Sequence, residues 1–130
     1  MGDARRRTER GAAVVDFVLV LVVVVPLFLG IFQLALVLHV RNTLTAAASE
    51  GARYAATVDR PVEAGADRTR QQIAGALAAR YARGVTAREA AVRGAPGVEV
   101  EVTAEVPPLG IWGPGIRLDV TGHAVEETAP

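Results

Sequence analysis

The sequence predicts an α+β protein: a long N-terminal transmembrane helix continuing outside the membrane, a second amphipathic helix, and a C-terminal two-stranded antiparallel β element. Three observations carry this. From Phe17 to Leu38 the chain runs 22 residues without a charge and with one polar side chain, Gln33. An alanine-rich, proline-free stretch follows from Arg41 to Val58. Two stretches near the C-terminus, Val98 to Val106 and Ile116 to Ala124, alternate strictly between apolar or small residues and polar ones.

At about 1.5 Å per residue the apolar run covers roughly 33 Å, against a hydrocarbon core of about 30 Å. Pro26 removes one helical hydrogen bond and Gly30 weakens the next turn, so a kink or local melt is expected between them. Gln33 seeks an interhelical partner, and His39 reads as a solvated residue at the outer interface. Arg5, Arg6, Arg7 and Arg10 precede the span, while Arg41, Arg53 and Arg60 follow it. By the positive-inside rule this bias favours a cytoplasmic N-terminus. A secretory signal cut near Ala46-Ala47-Ala48 fits poorly, because the apolar core is too long and Arg41 intrudes before the site. Asp16, at the doorstep of the span, is what the span alone does not explain. A carboxylate at the bilayer centre costs about 2.5–3.5 kcal/mol on insertion scales, and less near the headgroups. In a plain single-pass anchor it would merely complement the positive end of the helix dipole.

Beyond the span, Ala47, Gly51 and Ala55 recur every four residues. They form a flat stripe where a helix of a partner or of this chain can approach closely, and Leu44, Ala48 and Ala52 widen it. Asp59-Arg60-Pro61 breaks the pattern, with Asp59 as N-cap and Pro61 in the first turn of the next helix. That helix is expected from Val62 to Arg83, with Ala66, Ile73, Leu77 and Tyr81 on one face and Gly84 closing it. Gly94-Ala95-Pro96-Gly97 marks the boundary to the two strands. Their valine face needs a helix or another subunit's strands to cover it, and Glu99 falls on the solvent face. The nine-residue connection from Pro107 to Gly115 keeps the strands antiparallel. Trp112 at its tip either folds back on the helices or stays exposed as a contact residue.

Composition excludes several classes of function. There is no Cys, one Ser (Ser49) and two His, so disulfides, thiolate metal sites and nucleophile–base catalysis lack raw material. No enzyme activity, metal, cofactor or small-molecule substrate is expected. The 14 basic residues are all Arg and are balanced by 14 acids. Without residues 1–11 there remain 10 Arg against 12 carboxylates, which offers no electrostatic footprint for nucleic acid.

Arg10-Gly11-Ala12-Ala13-Val14-Val15-Asp16-Phe17 resembles a class III prepilin signal, in which a short basic leader ends in Gly and an acid stands fifth in the mature chain. The resemblance extends to the TadE-like minor pilins and pseudopilins of tight-adherence (Flp) pili. It rests on Val15-Asp16-Phe17, Pro26, Gly30, Val40-Arg41-Asn42-Thr43-Leu44 and Glu50-Gly51-Ala52-Arg53-Tyr54-Ala55, and covers about residues 10–56. The family usually has Glu where this chain has Asp16. The resemblance implies a processing site at Gly11 and Ala12, and pairing of Asp16, beside Phe17, with a mature N-terminus during assembly. It also implies a cytoplasmic leader (1–11), a transmembrane helix (12–40) and a small extracytoplasmic α+β domain (41–130). The implied partners are a prepilin peptidase, other pilins or minor pilins, pilus assembly membrane proteins and membrane lipid. The contrasting expectation is an unprocessed membrane-anchored binding subunit of an envelope or secretion complex.

Overall fold

The computed structural model describes residues 2–110 and 113–128. Helix α1 spans Gly2–Ala55 and helix α2 Val62–Ala76; a single 3-10 turn covers Ala79–Ala82. Strands β1 (Gly84–Val92), β2 (Ala95–Val106) and β3 (Ile116–Val125) complete the chain. These elements form two compact units, Met1–Ala35 and Leu36–Pro130.

The first unit is helix alone. Its large apolar side chains are exposed, Phe17 at 64% and Val23 at 67%, and α1 is long and apolar enough to cross a membrane. Helical structure runs through Pro26 and Gly30 without a break, so the expected melt does not occur. A proline removes one N–H, and the hydrogen bonds on either side are enough to carry the helix past it.

In the second unit the three strands form one antiparallel sheet in the order β1-β2-β3. The expected two-stranded element is therefore corrected to three strands. Val98, Val100, Val102, Ala104 and Val106 of the central strand point inward with Val85, Leu118 and Val120. They meet Val40, Leu44, Ala48 and Ala52 of α1, Ala66 and Ile73 of α2, and Tyr81 of the 3-10 turn. Fully burying each Val, Leu or Ile contributes about 1.5–3 kcal/mol, so this shared face is the main source of stability.

The strand that sequence reading missed, β1, also shortens α2. The helix stops at Ala76 instead of Arg83: Leu77 turns extended while its N–H still reaches the Ile73 carbonyl, and the 3-10 turn follows. Tyr81 reaches the core from that turn, at 5% exposure. Gly84 does not cap a helix but opens β1, opposite Thr103, whose carbonyl leaves no room for a Cβ. A third strand makes β2 a central strand and gives the sheet independent stability that two strands lack. Glu99, expected to face solvent freely, is instead flanked by Arg88 of β1 and His123 of β3 and is only 15% exposed along its side chain. Asp59 is not the N-cap of α2. It takes a left-handed conformation, with φ 63°, and Pro61 occupies the cap position without a side-chain hydrogen bond. The connection from Pro107 to Gly115 lies between β2 and β3 as expected, while Trp112 falls outside the described residues.

β1 and β2 are joined by two residues with positive φ, Arg93 at 51° and Gly94 at 83°. That is the backbone of a type I′ hairpin turn, whose first position favours Asn, Asp or Gly over a side chain such as Arg. Arg93→Asn should therefore raise stability by about 0.5–1 kcal/mol through relief of left-handed strain. Thermal unfolding of the detergent-solubilised chain would register the gain, and an unchanged or lower midpoint would contradict it.

Candidate functional site

Two groups of residues singled out in the sequence lie on α1, one in each unit. In the first unit Gly11, Ala12, Asp16 and Phe17 are exposed on the helix, and a Cβ added at Gly11 would meet nothing within 4 Å. Ala12 and Asp16 stand four residues apart, on one face of consecutive turns. The Gly11–Ala12 bond itself lies within helix.

In the second unit Ala47, Gly51 and Ala55 are buried, and the helix against this stripe is the chain's own α2. A Cβ on Gly51 would collide with the Thr69 hydroxyl and the Gly65 carbonyl; one on Gly65 would lie 2.8 Å from both the Ala55 Cβ and the Gly51 carbonyl oxygen. Glycine faces glycine, and the two backbones meet. Thr69, fully buried, sits at the joint, its hydroxyl 2.9 Å from the Gly65 carbonyl and 3.2 Å from that of Ala47. It has one proton to donate, so the two carbonyls share it. The neighbouring face of α1 meets the sheet in the same way: Gly122 of β3 lies directly under the Ala48–Ser49 backbone, with no space for a Cβ. The sequence reading offers the Ile73–Leu77 face of the chain's own next helix against the stripe, whereas the close contacts come from Gly65 and Thr69 of that helix. The signals for close backbone approach were Gly65 inside a helix and Gly122 inside a strand, positions where glycine marks it.

Around this joint sit several arginines. Arg60 lies 3.7 Å over the Tyr54 ring and Arg68 at 5.7 Å, while Arg70 bonds the Val85 carbonyl at 2.8 Å. On the outer sheet face Arg88 donates to Glu99 through Nε at 2.8 Å and also through Nη2. The hydrogen bond and charge of Glu99 hold the Arg88 guanidinium above its ordinary pKa. Nδ1 of His123 is 3.4 Å from the other Glu99 oxygen. Among the described residues no group of three or more His, Cys, Asp or Glu is placed to hold a metal ion.

Gly51→Leu should separate α2 from α1, because neither the Thr69 side chain nor the Gly65 backbone can retreat far. Overpacking of this kind costs about 1–3 kcal/mol or more. Limited proteolysis would show faster cleavage in the Thr57–Pro61 linker of the variant than of the parent chain; equal rates would mean the contact contributes little. Glu99→Gln, which weakens only a partly exposed cross-strand pair, should cost about 0.2–1 kcal/mol in the same unfolding assay.

Comparison with known proteins agrees with the N-terminal pattern. Residues 11–53 match the family model described as TadE-like protein. No curated protein and no solved structure matches the chain. The match begins at Gly11, takes in Asp16 and the whole apolar segment, and ends two residues beyond Gly51. Over residues 11–53 the chain is thus similar to the TadE-like proteins.

Proposed function

We propose that this chain is a non-catalytic, membrane-anchored minor pilin or pseudopilin that acts in assembly of a tight-adherence pilus, matured by prepilin peptidase cleavage after Gly11. The observation that carries the reading is the TadE-like match over residues 11–53, which takes in Asp16 and the apolar part of the membrane-capable helix. The leader faces the cytoplasm, and residues 41–130 form the extracytoplasmic part that meets other pilins and assembly proteins. Cleavage would create an ammonium on Ala12, one turn from Asp16. At 4 Å and an effective dielectric of 20 such a pair gains about 4 kcal/mol. That attraction offsets part of what it costs to hold the two charges at the edge of lipid, whether the amine is the chain's own or a neighbour's. Because the scissile bond lies in helix, the peptidase must unwind it locally. Glycine is the easiest place to do so, since it costs a helix about 1 kcal/mol relative to alanine.

In cells with the matching peptidase the protein should begin at Ala12, and Gly11→Leu should retain the leader without loss of membrane insertion. N-terminal sequencing that finds residues 1–11 still attached in a piliated strain would refute the processing. Asp16→Glu should support normal pilus numbers, whereas Asp16→Ala should be cleaved and inserted but reduce piliation, counted by electron microscopy. Undiminished piliation with Asp16→Ala would favour an unprocessed anchor of a binding subunit.

A further inference from the structure

The sheet has two edges, and the chain treats them differently. At β1, Arg70 of α2 donates to the Val85 carbonyl, so a helix side chain engages that strand's backbone. At β3, among the described residues, no side chain of α2 makes a comparable bond to the strand's backbone. β3 runs ten residues, Ile116–Val125, without a proline, and none of its charged side chains points inward. A long unblocked edge is a template for another strand.

Charge on the outer face says which strand. The register sets Arg88, Glu99 and His123 in one row across the sheet, positive, negative, then imidazole. His123 directs Nδ1 to Glu99 and keeps Nε2 as its second polar atom, with the side chain 49% exposed. An imidazolium at His123 would extend that row best against a carboxylate. β3 carries one itself, Asp119, two positions on the same face beyond Thr121. We propose that β3 pairs antiparallel with β3 of a second copy of this chain about a two-fold axis at Thr121. Asp119 of each copy then faces His123 of the other, so the alternating row continues through the dimer twice. Val120 pairs with Gly122 and Leu118 with Ala124, which keeps inner faces together. A shift by one residue turns apolar side chains outward. The neighbouring face-preserving registers lose the match: one sets Arg117 against His123, the other leaves Asp119 opposite Val125. This surface is independent of the pilus assignment, and either can fail alone.

The full chain contains no cysteine, so single cysteines report directly. Thr121→Cys, on an exposed position, should form a disulfide-linked homodimer in membranes under mild oxidation, since directly opposed residues lie about 4.5–5.5 Å apart between Cα atoms. Thr86→Cys, in the same row on β1, should remain monomeric. Adding His123→Asp to Thr121→Cys sets two carboxylate pairs opposite each other and should slow crosslinking about five- to ten-fold. Adding Asp119→His to that variant should restore the rate, because the swapped pairs again match. A monomeric Thr121→Cys chain, a crosslink to a protein of another mass, or equal dimer from Thr86→Cys would overturn the proposal. So would a rate indifferent to the charge swap.

Discussion

Everything in the second unit depends on how closely α1 lies against its neighbours. On one side Gly51 meets Gly65 of α2, and on an adjoining side the Ala48–Ser49 backbone rests on Gly122 of β3. Between them α1 presents only small side chains, Ala47, Ala48, Ala52 and Ala55, all buried. Bulk is supplied from elsewhere: Leu44 and Val40 one and two turns earlier on α1, Ile73 from α2, Tyr81 from the 3-10 turn and the valines of β2. The close approach also explains the buried Thr69. Both carbonyls already accept from their own helices, so what the shared bond satisfies is the buried Thr69 hydroxyl itself, which would cost about 1–3 kcal/mol if left unpaired. The C-terminal segment ties the arrangement off, since Glu127 N–H bonds the Ala56 carbonyl just past α1, and Glu126 N–H bonds that of Pro96 in β2.

How far this could be read from the sequence differs by element. The alternation of β2 and β3 is strict because each has one face in the core and one in water, and both were legible. The β1 segment is harder, since Gly84-Val85-Thr86-Ala87-Arg88-Glu89-Ala90-Ala91-Val92 puts one bulky residue in the core and fills the rest with alanine and charge. Such a composition has good helix propensity, and it becomes a strand because β2 offers a full ladder of partners. The same tertiary pull ends α2 early, where the local pattern of Ile73, Leu77 and Tyr81 would have carried the helix on. The stripe on α1 was visible from its four-residue spacing, but spacing alone does not say what lies opposite. That information sat in Gly65 and Thr69, a glycine and a hydroxyl four residues apart in the facing helix.

α1 is one helix built for two surroundings, and its composition changes where they do. From Phe17 to Leu34 the large side chains are Val, Leu, Phe and Ile on all sides apart from Gln33, with none of the most apolar stretch buried. From Val40 onward one face is buried and the other carries Arg41, Asn42, Thr45 and Arg53. Thr43 and Thr45 turn their hydroxyls back to the carbonyls of His39 and Arg41, each at 2.9 Å, as the helix leaves its apolar part.

That division limits what the first unit can ever do alone. Leaving about a dozen and a half large apolar side chains in water, at roughly 1.5–3 kcal/mol each, forfeits tens of kcal/mol. A folded domain has only about 5–15 kcal/mol of net stability with which to oppose such a cost. A surface of this kind must therefore be covered, and lipid or other apolar helices are the surroundings that suit it. Asp16 is the charged group at the edge of that apolar surface, so it sets a direction. Exchange of lipid for neighbouring helices gains most where the incoming helix brings a positive charge to the Asp16 level. Under the proposed processing a free ammonium at Ala12 of a neighbour would be such a charge, whereas an intact leader would present an amide there.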